Sequence, residues 1–372
     1  MAVMTEEQTM LHDMAKGWVQ EKSPVTAFRK LRDSGGGDNK GFDPAAWTEM
    51  AEMGWAGVVI PEEHGGSGFG YRSLGLILEE TGRTLTASPL LASALAAASA
   101  IVLGGTDAQK SEWLPRIADG SAIATLAIEE GPRHQPDRVT LSAAKSENGY
   151  TLDGRKTMVL EGMAADLFVV SARTGDGVVE LFLVSADAAG VSREKLALAD
   201  SRGAASVRFD QVKVDAGAKL EGGAALLDKV LDRARAGLCA EMLGAATQAF
   251  ETTVDYLKTR VQFGQLIGAF QALQHRAAKM LQDLELSRSA VQTALDAIDR
   301  DAPDVPELVS LAKVKMGDTF HLVSNEMVQM HGGIGMTDAH DAGFYLKRAR
   351  AAEALFGNQA WHRDRYGRLQ GF

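Results

Sequence analysis

The hydrophobic period changes twice along this chain, and the two changes leave few folds open. In the first third the apolar spacing is helical. Thr5 ahead of Glu6 and Glu7 is a helix-start pattern, and Met10, Leu11, Met14 and Trp18 follow at three- and four-residue intervals to about residue 22. Further helices are expected over residues 44–53 and 71–83, and two more between 89 and 119, with the glycine-rich PEEHGGSGFG stretch at 61–70 as a loop. From about Ser121 to Lys219 the β-branched residues gather in short runs, at 122–128, 139–143, 156–160, 167–171, 178–184 and 206–212. Asn148-Gly149, Asp153-Gly154 and Asp176-Gly177 punctuate them as tight turns. After Gly222-Gly223 the helical spacing returns. Leu227, Val230, Leu231, Ala234, Leu238, Met242, Ala246, Phe250 and Val254 mark one helix of about 35 residues, roughly 50 Å long. Further helices are expected over 270–298, 306–330 and 339–369.

The reading is an α+β multidomain chain: a helical N-terminal domain (1–121), a middle antiparallel β-barrel or sandwich domain (122–222) and a C-terminal four-helix up-and-down bundle (223–372). That order excludes an alternating βαβ fold. With 372 residues, 45% of them hydrophobic and 24% charged, the chain has enough apolar material for a large core. Its net charge of -10 opposes phosphate backbones and anionic lipid surfaces, so nucleic acid is not expected as a partner. The N-terminus has no signal-peptide pattern, and the longest apolar-leaning run, residues 87–103, is too short and too rich in Ala and Ser for a bilayer helix. A cytoplasmic location without membrane insertion is the expectation. The single cysteine, Cys239, lies in an apolar helical stretch and reads as a buried structural thiol.

Phosphate-loop, dinucleotide-fingerprint, nucleophile-elbow and zinc-protease motifs are all missing, and the eight histidines lack ligand spacing, so no metal site is expected. Two glycine-bearing polar segments remain in the last third. In the first, residues 256–280, Arg260 offers a guanidinium fork suited to phosphate, and Gln262 and Gln271 offer amide donors beside the flat face of Phe263. Alone, this segment reads as a solvated helix end with Gly264 as its cap. In the second, residues 329–337, Gly332 and Gly333 after Gln329 allow backbone N–H groups to approach a ligand closely. Alone, that segment reads as a turn.

Taken together, R-x-Q-F-G-x-x-I-x-x-F-Q and, about 70 residues on, Q-x-H-G-G-x-G resemble the C-terminal domain of the acyl-CoA dehydrogenase family. The likeness extends to the GWAGVVIPEEHGGSGFG segment at 54–70 and to the helical, β, helical order. The resemblance implies FAD as cofactor, an acyl-CoA thioester as substrate and electron-transfer flavoprotein as electron acceptor. It also implies that FAD lies across a subunit interface, with Arg260, Gln262, Phe263, Gln271, Gln329, Gly332 and Gly333 contacting the adenosine and pyrophosphate half of a flavin belonging mainly to the neighbour.

The departures are specific. Where the family carries T-E-P-x-x-G-S-D, this chain reads Glu129-Glu130-Gly131-Pro132-Arg133-His134-Gln135-Pro136-Asp137, and where it carries K-x-W-I-T-N the chain reads Lys156-Thr157-Met158-Val159-Leu160-Glu161. Acyl thioester oxidation needs a carboxylate against the α-carbon. The family's two positions for that base hold Phe356 and Ala234 here, leaving Glu353 and Glu241 as the nearby carboxylates. Ring-gripping residues are altered while those serving a neighbour's flavin are kept. This resembles the small (beta) subunit of heteromeric members, such as that of pimeloyl-CoA dehydrogenase, whose ending matches residues 345–363. The expectation is a non-catalytic, FAD-completing chain partnered by a second family member. The alternatives are a self-sufficient homo-oligomer with a displaced base and a cofactor-free scaffold that binds acyl-CoA.

Overall fold

A computed structural model describes residues 4–35 and 40–372. These gather into two compact units, one of residues 4–28, 75–86 and 235–372, the other of residues 29–35, 40–74 and 87–234. The helical first third consists of α1 (Glu6–Lys22), α2 (Val25–Asp33), α3 (Pro44–Glu52), α4 (Gly70–Arg83), a π-helix (Leu90–Ala97) running into α5 (Ala98–Gly104), and α6 (Asp107–Ala118). Thr5 starts α1 with a reciprocal cap: its hydroxyl accepts from the Gln8 amide while the Gln8 side chain accepts from the Thr5 amide, a pattern that Thr106 and Gln109 repeat at α6. Helix α2 is not expected from the sequence. Its nine residues carry only a short apolar repeat, Val25, Phe28 and Leu31, of which Phe28 alone is buried.

The middle stretch folds into β1 (Ala124–Ala127), β2 (Ser142–Ser146), β3 (Gly149–Leu160), β4 (Leu167–Thr174), β5 (Val179–Ser185), β6 (Val191–Lys195) and β7 (Ala204–Asp215). They form one seven-stranded sheet in the order β1-β4-β2-β3-β7-β6, with β5 on β4. The hairpin partners β2–β3 and β4–β5 are antiparallel, as Asn148-Gly149 and Asp176-Gly177 predict, and β6–β7 is antiparallel without such a signal. Asp153-Gly154, expected as a turn, instead lies inside β3, and β1–β4 and β2–β4 are parallel. Parallel partners are joined by crossovers, which leave no local signature to read. Irregularities between Leu152 and Gly154 and between Lys156 and Val159 bend β3, and Met158 sits in the second with φ 51°. Leu152, Phe168, Val170, Phe182, Val184, Val207 and Phe209 fill the core of the sheet.

The last third comprises α7 (Gly223–Thr259), a two-stranded hairpin of β8 (Val261–Gln262) and β9 (Gln265–Leu266), α8 (Gln271–Asp299), α9 (Val305–His331), α10 (Ala342–Ala354) and α11 (Gln359–Leu369). The sequence predicts one helix over 339–369, and the structure corrects this to two. The chain breaks at 355–358, where Phe356 (φ 57°) and Gly357 (φ 102°) are left-handed and the Asn358 side chain caps α11 by accepting from the Trp361 amide. Three buried donors hold the break. Arg235 Nε and His362 Nε2, each 3.1 Å away, reach the Phe356 carbonyl, and Lys313 Nζ reaches the carbonyls of Ala352, Glu353 and Gly357 at 2.9–3.1 Å. Helix α4 crosses α7 at closest approach where Gly82 faces the Glu241 backbone and Gly244 faces that of Glu79. Ion pairs Glu79–Arg288, Glu251–Arg83 and Glu241–Arg348 tie α4, α7, α8 and α10 together. Cys239 is buried in α7, and burial pushes its thiol up to about 12, which leaves it unreactive. None of the described helices is long and apolar enough to cross a membrane.

Candidate functional site

Helix α7 does not run to Gly264 as the sequence suggests. It ends at Thr259, and the chain makes a two-residue hairpin closed by the Ile267 amide donating to the Arg260 carbonyl at 2.9 Å. The central residues, Phe263 (φ 54°) and Gly264 (φ 77°), are both left-handed, as a type I′ turn requires. Asparagine is the usual first residue of such a turn. Phenylalanine in this conformation costs on the order of 1 kcal/mol, and its ring is 92% exposed, with the ring of Phe270 edge-on at 6.0 Å. Arg260, Gln262 and Gln271 are exposed around it, the last at the first position of α8.

The second segment begins where α9 stops. The Gln329 carbonyl accepts from the Gly332 amide, and Gly332 adopts φ 63° to leave the helix. Gly333 follows in a 3₁₀ turn, Gly332–Met336. A Cβ at either glycine would meet no atom within 4 Å, so the backbone here faces open space. Ile334 and Met336 flank it, the latter 78% exposed. The Tyr256 ring, one turn before Arg260, stacks on His331, the residue before Gly332, with centroids 4.4 Å apart. The fold therefore joins the two segments that the sequence singles out, at one end of the bundle. A guanidinium, two side-chain amides, an exposed aromatic face and a glycine backbone with open space beside it are suited to an anionic ligand with a flat ring.

The two carboxylates are differently placed. Glu241 is buried on α7 and accepts from Arg348 Nη1 at 3.1 Å. Glu353 on α10 pairs with Arg350 at 2.8 Å and with His321 at 3.1 Å. Both are engaged with cations of the bundle. Phe356 and Ala234 are buried and have no titratable group.

In the other unit, the Glu129–Asp137 stretch is tied to the sheet by a buried ion pair whose role is not evident from the sequence. Lys156, wholly buried on β3, donates to Glu130 at 2.7 Å, to Ser171 at 2.9 Å and to the Ile128 carbonyl at 3.1 Å. Burial depresses its pKa to about 8 against the pull of Glu130. Burial pushes the Glu130 carboxyl up, but Lys156, Thr140 and the Leu141 amide outweigh it and hold the carboxyl below its ordinary range. The sequence does not announce this pair, because Lys156 is one of several polar residues on β3 and only the fold shows that it is the buried one. Glu129 hydrogen-bonds His134, so two of the altered residues are partnered with each other. Among the described residues no group of three or more His, Cys, Asp or Glu is placed to hold a metal ion.

The family described as acyl-CoA dehydrogenase, N-terminal domain, matches residues 5–121, and that described as acyl-CoA dehydrogenase, C-terminal domain, matches residues 221–369. The chain belongs to the acyl-CoA dehydrogenase family. Acyl-CoA dehydrogenase FadE27 of Mycobacterium tuberculosis is 30% identical over 338 residues, 88% of this chain and 88% of that protein. The structure of a variant of the Tcur3481-Tcur3483 steroid ACAD is 31% identical with a TM-score of 0.90, covering 98% of each chain. The ChsE4-ChsE5 complex of M. tuberculosis is 27% identical with a TM-score of 0.90, covering 100% of this chain and 99% of that one. Acyl-CoA dehydrogenases are FAD-dependent oxidoreductases of lipid metabolism, and FAD is the cofactor of this family.

Proposed function

We propose that this chain is the subunit of a heteromeric acyl-CoA dehydrogenase that completes the adenosine diphosphate half-site of a flavin held mainly by a second family member. The observation that carries this reading is Phe263: an aromatic residue in a strained backbone conformation, with its ring left almost wholly in solvent. The donors beside it fit the phosphate-bearing half of FAD. Arg260 supplies a fork for the pyrophosphate, the open backbone at Gly332 and Gly333 leaves room for it, and Gln262, Gln271 and Gln329 lie exposed beside its polar edges, Gln262 with its amide nitrogen donating to the Val261 carbonyl at 2.8 Å. FAD, when bound, supplies the hydride acceptor for oxidation of the acyl thioester.

The chemistry of this chain's remaining residues supports assigning catalysis to the partner. Taking the α-proton needs a free carboxylate, whereas Glu241 is held by Arg348 and Glu353 by Arg350 and His321. The Glu129–His134 pair likewise commits to each other two side chains at altered positions of the middle domain. Similar structures that carry the names of two proteins, ChsE4-ChsE5 and Tcur3481-Tcur3483, favour a heteromer over a homo-oligomer. Acyl-CoA is the substrate of the assembly and electron-transfer flavoprotein its electron acceptor in this reading.

The test is an absorption spectrum of the chain purified alone and with its partner. The chain alone is expected to be colourless and inactive, and the complex yellow and active. Arg260→Ala is expected to lower the flavin content of the complex, because a charge-assisted contact is worth about 1.5–3 kcal/mol. Full flavin occupancy with turnover by the isolated chain would overturn the proposal.

A further inference from the structure

The donors of the proposed half-site come from two distant stretches of chain, and three rings packed in series connect those stretches. Tyr256 lies on His331 at 4.4 Å with 29° between the ring planes, and His331 lies on His340 at 4.3 Å with 45°. Each ring sits beside a part of the site. The Tyr256 carbonyl accepts from the Arg260 amide at 2.9 Å, His331 immediately precedes Gly332, and His340 ends the turn that leads into α10.

The middle and outer rings are oriented by the backbone. His331 Nδ1 lies 2.7 Å from the Met327 carbonyl, so this nitrogen carries the proton and donates. His340 Nδ1 lies 3.1 Å from the Ala342 amide and accepts, so its proton is on Nε2. His331 is buried, and burial holds its pKa below the ordinary value, with His340 adding to the effect. The His331 ring is stacked by Tyr256 and packed at a tilt against His340.

The turn that this stack anchors is the kind of segment that would otherwise be costly to order. Gly332 and Gly333 carry no side chain to restrict them, they are exposed, and nothing lies within 4 Å of where a Cβ would be. An unanchored Gly-Gly turn would lose its conformational freedom on binding a ligand, and that loss subtracts from affinity. We infer that the Tyr256–His331–His340 stack is a positioning device, which holds the Gly332–Gly333 turn in register with Arg260 before the adenosine diphosphate moiety arrives. Tyr256 and His331 are positioning residues, not ligand contacts. This rests on the reading that this end of the bundle takes the adenosine diphosphate half of FAD.

The test uses the full chain with ADP as the probe, titrated by calorimetry. Tyr256→Ala and His331→Ala are expected to weaken ADP binding roughly tenfold, and Tyr256→Phe, which keeps the ring, by less than about twofold. The imidazole carbon-bound proton signals of His331 and His340 are expected to shift on addition of ADP to the wild-type chain. Because His331→Ala removes a buried side chain, melting temperatures are recorded alongside. A fall in melting temperature with ADP affinity unchanged would show a purely structural role and overturn the inference. A Tyr256→Phe variant as weak as Tyr256→Ala would also overturn it. Loss of ADP affinity in Arg260→Ala with full affinity in Tyr256→Ala would overturn this inference alone and leave the half-site reading standing. Absence of ADP binding by the wild-type chain would overturn it too, and the flavin content of the complex remains the separate measure of the heteromer.

Discussion

Phe263 holds a backbone conformation that suits asparagine, with its ring in solvent. Selection for stability alone would not keep it there. Phe263→Asn is expected to raise the unfolding free energy of the isolated chain by about 0.5–1 kcal/mol in a denaturant melt, and to lower the flavin retained by the complex with its partner. A second residue adds an acid-sensitive contribution to the stability of the fold. Burial, with Arg235 and Lys313 adding to it, pushes His362 down to about 2 from its ordinary 6.5, so the folded state keeps the ring neutral, with Nε2–H donating to Phe356. As pH falls below 6.5 the unfolded chain takes up a proton that the folded chain refuses, so stability is lost progressively from 6.5 down to about 2. Between pH 6.5 and pH 5 this residue accounts for on the order of 2 kcal/mol. Denaturant melts at pH 7.5 and pH 5 are expected to show a smaller acid loss in His362→Gln than in the wild type.

At the scale of elements, the α4–α7 crossing is limited by its glycines. A Cβ at Gly244 would collide with the Glu79 carbonyl oxygen, and one at Gly82 with that of Glu241. Both obstacles are helix backbone, which cannot rotate away, so the helices would have to separate. Gly244→Ala is expected to cost about 3 kcal/mol in a denaturant melt, at the upper end for overpacking, although alanine is the better helix former. The long period of α7 and the turns at Asn148-Gly149 and Asp176-Gly177 are legible in the sequence because each is a local pattern of apolar or turn residues, whereas Asp153-Gly154 reads as a turn but lies within β3, where the strand is irregular. The break at 355–358 is not, because the donors that hold it, on Arg235, Lys313 and His362, come from three different helices. The hairpin at 261–266 is not legible either, because Phe-Gly stands where Asn-Gly would have announced it.

For the whole molecule, the matches at residues 5–121 and 221–369 settle family and fold, and family membership brings FAD with it. They do not distribute the work between subunits. The proposed distribution rests on what each end of the chain offers: exposed donors around Arg260 and Gly332, and paired side chains at Glu129, His134, Glu241 and Glu353. It makes flavin retention a property of the assembly, so the colour of the isolated chain is the measurement that belongs to this scale.

The order helical, β, helical and the two polar glycine segments followed from the sequence by itself, because period and turn chemistry are local and Gly-Gly and Phe-Gly stand out against helical surroundings. Only the tertiary structure decided that Tyr256 and His331 bring those segments together, that Lys156 and Glu130 form a buried pair, and that Glu241 and Glu353 are already engaged by arginines. Whether a carboxylate is free to take a proton, or a turn is held ready for a ligand, depends on neighbours contributed by other helices and strands, and linear spacing does not record them.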